Sequence, residues 1–195
     1  MPDRAAGPTD EHRPGENDFA ERYQRLAPSL PVWASLRIRP SLRAYCEIDD
    51  LLQEAWCRAY AIRHRFDPAE VEFRPWLFRV AKNVLLEVKR KATYSDRAGR
   101  AQGGTSRLFA LHDVPDDVTS ITRRLGRDET LVRFHARLRE LPDDDRELVV
   151  LVGLEGMNQA EAAIRLGTSH DAVRKRWQRL RTRLEADGLP EMLVD

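Results

Sequence analysis

The chain has 195 residues, enough for one domain or two small ones, and its 33 Lys and Arg almost cancel its 32 Asp and Glu to a formal net charge of +1. No apolar run approaches the roughly 20 residues that span a bilayer, which excludes membrane insertion as the expected state. The polar, acidic start does not read as a secretory signal, so the cytoplasm is the expected compartment.

The near-neutral total hides polarisation. Asp3, Asp10, Glu11, Glu16, Asp18 and Glu21 crowd the start against only Arg4 and Arg13, while the two most basic stretches lie at 72–91 and 170–183. A basic patch on a near-neutral protein still attracts phosphate locally. The two cysteines, Cys46 and Cys57, suit no standard zinc spacing with His64, and a reducing compartment disfavours a disulfide. Half-buried thiols are expected, with no metal and no cofactor.

Residues 1–17 are rich in Pro, Gly and charge without an apolar period and read as a disordered tail. Phe19, Tyr23, Leu26 and Leu30 then recur at helical spacing. Pro28 and Pro31 predict that this helix ends near 27, with short pieces following at Val32–Leu36 and Ser41–Cys46. Ile48–Phe66, IDDLLQEAWCRAYAIRHRF, reads as one helix. Asp49 and Asp50 suit its N-terminal dipole, and Leu52, Ala55, Trp56, Ala59 and Ile62 form the buried stripe. Gln53, Glu54 and Arg58 lie off that stripe. Asp67-Pro68 opens a loop.

Phe73–Lys91, FRPWLFRVAKNVLLEVKRK, is the next helix, with Pro75 in its first turn. Leu77, Val80, Ala81, Val84 and Val88 make its core face. Arg79, Lys82, Asn83, Leu86 and Arg90 recur at three and four and share another face. Phe73, Trp76 and Phe78 stand at its start, and basic side chains beside aromatics suit unpaired nucleic acid. The competing reading of these rings is plain core. Residues 92–129 change character and read as a Gly- and Ser-containing linker, with a short helical turn at Val118–Leu125. The two domains are expected to move independently across it, or to pack together in the free chain.

A second apolar pattern runs through Leu131, Phe134, Leu138 and Leu141 to Pro142. Asp143, Asp144 and Asp145 lead into a short apolar helix, Leu148–Leu154. Three consecutive residues on a helix point in different directions, so these carboxylates cannot converge on Mg²⁺; they read as capping, with Asp144 and Glu147 at capping-box spacing. NQAEAAIRLG (Asn158–Gly167) has its own cap pair in Asn158 and Glu161, small residues at Ala162 and Ala163, and a turn glycine. TSHDAVRKRWQRLRTRL (Thr168–Leu184) follows, capped by Thr168 or Ser169. Val173, Trp177, Leu180 and Leu184 make its core face. Six basic residues against Asp171 give it about +5. Two short helices, a glycine turn and a basic second helix make a helix-turn-helix. Residues 187–195 are a tail. No strand pattern occurs, so the fold class is all-α: two small helical domains, 18–91 and 130–186, joined by a flexible linker.

Three stretches together resemble a known family. IDDLLQEAWCRAY (Ile48–Tyr60), FRPWLFRVAKNVLLEVKRK (Phe73–Lys91) and LPDDDRELVVLVGLEGMNQAEAAIRLGTSHDAVRKRWQRLRTRL (Leu141–Leu184) look like three segments of bacterial RNA polymerase sigma factors of the sigma-70 superfamily, in the small two-domain extracytoplasmic-function group. The resemblance implies a promoter-specificity subunit, with no chemistry of its own, that helps melt promoter DNA. It implies that Asp49, Asp50, Gln53 and Glu54 dock on the clamp coiled coil of the largest subunit of core RNA polymerase. It assigns the downstream, minus-ten element to Arg63, His64, Arg65, Phe73, Arg74, Trp76, Arg79, Lys82, Asn83, Lys89 and Arg90. Its loop from Arg63 to Arg74 would capture a flipped base, since a base edge is fully exposed only outside the stack. It assigns the upstream, minus-thirty-five element to His170, Arg174, Lys175, Arg176, Gln178, Arg179, Arg181 and Arg183. The flap of the second-largest subunit and an anti-sigma factor are further partners it admits.

Two other functions compete. A stand-alone helix-turn-helix regulator explains residues 130–185 but leaves the basic-aromatic segment at 73–91 without a role. A nuclease needs convergent carboxylates or a histidine site, and His12, His64, His112, His135 and His170 are scattered.

Overall fold

The computed structural model describes residues 16–97 and 129–186. The expected N-terminal tail up to residue 15, the linker from 98 to 128 with its helical turn, and the C-terminal tail lie outside the described residues. In the first domain the order is α1 (Glu16–Leu26), α2 (Ser29–Arg37), α3 (Pro40–Arg43), α4 (Ile48–Ala61), a 3-10 turn (Arg63–Arg65) and α5 (Phe73–Arg97). In the second it is α6 (Glu129–Glu140), α7 (Asp143–Leu148), a π-helical turn (Val149–Leu154), α8 (Gln159–Leu166) and α9 (His170–Ala186). No strand occurs among the described residues.

The prolines of the first domain begin helices rather than break them. Pro28 is the N-cap of α2, Pro31 lies in its first turn, and Pro40 is the first residue of α3. A first-turn N–H has no intrahelical partner, so proline forfeits nothing there. Helix α4 stops at Ala61, short of the expected Phe66, because the chain must turn to carry Phe66 back into the core. Phe66 packs against Phe73 and Trp76 with ring centroids 5.3 and 5.2 Å apart, and Phe19 meets Phe73 at 5.5 Å. Each such pair adds about 0.5–1.5 kcal/mol beyond area burial. Helix α5 continues past Lys91 to Arg97, because Ala92 extends the buried row of Val84 and Val88 by one more turn. Leu51, Leu52, Ala55, Trp56 and Ala59 of α4 are buried, as are Leu77, Val80, Ala81, Val84 and Val88 of α5.

In the second domain Leu131, Phe134 and Leu138 of α6 are buried, as are Leu148 through Leu151, Ala162, Ala163, Val173, Leu180 and Leu184. The expected caps are present: Asn158 Oδ1 accepts from the Glu161 N–H at 2.8 Å, and Ser169 Oγ from the Ala172 N–H at 3.2 Å. Gly167 closes α8 in the left-handed region, φ 64°, which favours glycine. Asp144 does not cap α7. Pro142 holds the N-cap position, so the three aspartates occupy the first turn and use their charge there. Asp143 pairs with Arg146, and Asp145 with Arg176, whose guanidinium also lies 3.6 Å from Asp144. The apolar segment after α7 widens into the π turn, with the Glu155 N–H donating to Val150 O at 2.9 Å. Trp177, half-buried, covers Gly153 so closely that a Cβ there would come within 2.9 Å of its ring.

The two domains pack together, α2 against the π turn. Glu155 sits at this seam with its side chain 1% exposed. It accepts from Trp33 Nε1 at 2.9 Å, Arg37 Nη2 at 3.0 Å and Lys82 Nζ at 3.0 Å. Arg37 also donates to both oxygens of Glu147 at 2.8 Å, and Arg74 Nη1 donates to Gly153 O at 3.0 Å.

Candidate nucleic-acid and polymerase interfaces

Helix α9 presents its charge as its sequence suggests. Val173, Leu180 and Leu184 turn inward, and His170, Arg174, Lys175, Gln178, Arg179, Arg181 and Arg183 are exposed. Lys175, Arg179 and Arg183, four residues apart, line an open groove of about 560 Å³ with Asp145, Ala172, Arg176 and Leu180. Repeated cations on a groove wall beside a helix N-terminus suit phosphate and base edges together. Three basic residues are already engaged. Arg176 is held by Asp144 and Asp145, Arg174 pairs with Asp171 at 3.2 Å, and Arg181 with Glu185 at 2.7 Å. The last two pairs are exposed and exchange readily, being worth about 0–1 kcal/mol each. Arg176 is different: two carboxylates of α7 pin it, so it fixes the angle of α9 more than it reaches outward.

Helix α5 divides its expected residues between two strips. Arg79, Asn83 and Arg90 are exposed on one strip, continued by Leu86 and Tyr94, which are 47% and 67% exposed. Lys82 and Lys89 lie beside it, turned toward the seam. Lys82 is bound by Glu155, and the Lys89 ammonium is lowered from its ordinary pKa by burial and by Arg37 and Arg39. Arg74 reaches the second domain through Gly153. Phe73 and Trp76 are a correction: both are 8% exposed in the aromatic core, so neither ring offers a base a stacking face. They need to be there because Phe66, at the end of the 3-10 turn, has no other apolar partner of that size. In the loop, Arg63 lies over the Tyr60 ring at 4.0 Å and donates to Tyr60 O at 2.9 Å, while His64 and Arg65 are exposed.

On α4, Asp49 is exposed and Asp50 and Gln53 are half-exposed. Glu54 turns away from solvent. Its carboxylate takes Arg58 Nε at 2.5 Å and is 12% exposed, while Arg58 also grips Glu87 of α5 at 2.5 and 2.7 Å. Arg58 holds the Glu87 carboxyl below the usual range, with its hydrogen bond outweighing burial. Glu54 therefore ties α4 to α5, and Asp49, Asp50 and Gln53 are the part of the expected docking face that remains open.

Glu155 is the residue that sequence reading passed over. Burial alone would raise its carboxyl pKa, but Arg37, Trp33 and Lys82 hold it below the usual carboxylate range. The signal was a lone acid between two glycines, Gly153 and Gly156, at the end of an apolar run. It is, with Ser29, the buried polar side chain of the described residues. No helix among the described residues is long and apolar enough to cross a membrane.

Comparison with known proteins covers both domains. The Sigma-70 region 2 family model matches residues 21–94, and the Sigma-70, region 4 model matches residues 131–184. RNA polymerase sigma factor CnrH of Cupriavidus metallidurans is 32% identical over 143 residues, 72% of each chain. ECF RNA polymerase sigma factor EcfG of Rhodopseudomonas palustris is 31% identical over 172 residues, 80% of this chain and 87% of that one. A solved structure of CnrH in complex with the cytosolic domain of CnrY matches over 88% of each chain at 26% identity, with a TM-score of 0.39. With a helix-turn-helix domain, a basic-faced helical domain and relatives of these kinds, the chain belongs to the extracytoplasmic-function RNA polymerase sigma factors of the sigma-70 family.

Proposed function

We propose that this sigma factor docks on core RNA polymerase through the outward face of α4, reads the upstream promoter element with α9, and engages the melted downstream element with α5. The observation that carries the reading is the presence of two separate exposed basic strips on two domains of one chain, one around Lys175 and Arg179 and the other around Arg79, Asn83 and Arg90. Helix α9 brings its N-terminal half to base edges in the major groove, where a bidentate arginine contact discriminates by about 1–3 kcal/mol. Helix α5 supplies charge along a strand backbone. The exposed His64 and Arg65 beside it suit a captured base, and Tyr94 is the aromatic left open on its strip. Docking falls to Asp49, Asp50 and Gln53, with the cytoplasm as the site of action. The chain supplies binding and orientation and leaves the chemistry of RNA synthesis to the polymerase.

Run-off transcription from genomic DNA tests this. Core enzyme plus the purified chain is expected to give discrete, promoter-specific products that core alone does not. Tight binding to duplex DNA without any core-dependent product would favour the stand-alone regulator.

A further inference from the structure

The seam between the domains has the chemistry of an anion site. The first domain contributes Trp33, Arg37 and Lys82, three donors that converge on one point, with Lys89 and Arg39 near enough to raise the local positive field. The second domain contributes a single carboxylate, Glu155, fully desolvated between them. Its backbone is shaped for the approach. Gly156 has φ +67°, and a Cβ there would come within 3.0 Å of Arg74 Cδ and 3.2 Å of Pro75, both at the start of α5. Arg74 itself donates to Gly153 O at 3.0 Å. A carboxylate and a nucleic-acid phosphate present the same thing to such donors, an acceptor-only anion.

We propose that Glu155 is a built-in competitor of promoter DNA for Lys82: in the closed chain its carboxylate occupies the donors that would otherwise take a phosphate of the unpaired downstream strand. The proposal rests on α5 being the downstream-element helix. Binding of a single strand along Lys82 then requires the domains to part, and the apparent affinity of the free chain is reduced by the fraction of molecules that are open. The device is one-sided. Lys175, Gln178 and Arg179 of α9 stay exposed in the closed chain, so the contact leaves duplex binding by the second domain untouched.

The test uses the full chain and two substitutions on opposite sides of the seam, Glu155→Gln and Arg37→Gln. The first keeps shape and removes charge; the second releases both Glu147 and Glu155 without altering the second domain. Circular dichroism monitors folding, X-ray scattering gives the radius of gyration, and fluorescence anisotropy gives affinity for a random-sequence single strand of about 15 nucleotides and for a random duplex. Both variants are expected to be more extended than the parent and to bind the single strand about tenfold more tightly, with duplex affinity unchanged. Unchanged dimensions in both variants, or extended variants with the parent's single-strand affinity, would overturn the proposal. Lys82→Ala added to Glu155→Gln separates it from the reading it rests on. Loss of single-strand affinity in the double variant sustains α5 as the DNA helix even if the competition fails, and no loss removes that reading.

Discussion

The two DNA-facing helices differ in what holds them. Helix α9 is fixed wholly within its own domain, by Val173, Leu180 and Leu184 beneath it and by Asp144 and Asp145 on Arg176, and its outer strip is open. Helix α5 is fixed by its own core, yet part of its polar surface belongs to the other domain: Lys82 to Glu155, Arg74 to Gly153. Helical spacing therefore gives the face a cation lies on but not its partner. The upstream reader stands ready, whereas the downstream one is half engaged within the chain itself.

The sharpest way to break the comparison is at the base of α9. Trp177→Ala removes the ring that covers Gly153 and is expected to cost about 3 kcal/mol of second-domain stability, with the first domain's transition unchanged in calorimetry. A single shifted transition would mean that the domains do not fold separately. Next in size is the readout itself. Arg174→Ala and Arg179→Ala are expected to reduce the ratio of matched to scrambled upstream-element affinity, by about 1–3 kcal/mol for whichever meets a guanine. Arg181→Ala is expected to weaken both sequences equally and flatten the salt dependence. Arg176→Ala belongs to neither class and is expected to lower the thermal midpoint, with the matched-to-scrambled ratio kept.

Smaller effects probe α5 and α4. Gly156→Ala forces a side chain into the left-handed region, about 1–2 kcal/mol, and pushes a methyl group at Arg74 and Pro75; scattering is expected to show a more extended chain. Acidification works on the same seam. The Glu155 carboxyl is depressed, so its stabilisation is complete above the ordinary carboxylate value near 4.3 and is lost as pH falls below it. The scattering profile is thus expected to stay constant from neutral pH down to about that value. Smallest is Asp50→Lys, expected to weaken binding to core polymerase by about 1 kcal/mol, roughly fivefold, with the helical circular dichroism intact. Glu54→Lys would instead disturb the Arg58–Glu87 tie and the fold with it.

Most of the helices were legible because periodicity and caps agreed, as at Asn158, Ser169 and the α9 core face. The prolines misled only in sign: a residue that interrupts an apolar run also starts the next helix. The aromatics at 73–76 were ambiguous since a ring beside cations serves a core or a base equally, and only the return of Phe66 settles that. Glu54, Arg176 and Lys82 look alike in sequence to exposed charges. Their partners Arg58, Asp145 and Glu155 lie 4, 31 and 73 positions away, and only the first distance is a helical one. Glu155 itself carried no pattern, because a single acid acquires meaning from what faces it across the seam.

Permanganate reactivity of promoter thymines, with core polymerase and the parent chain or its Lys82→Ala, Asn83→Ala double variant, tests the account most directly. Thymines of the downstream element are expected to become reactive only when chain and core are both present, and to lose that reactivity in the double variant while upstream protection remains. Full reactivity with the double variant, or none with the parent chain, would contradict the claim that α5 engages the melted strand.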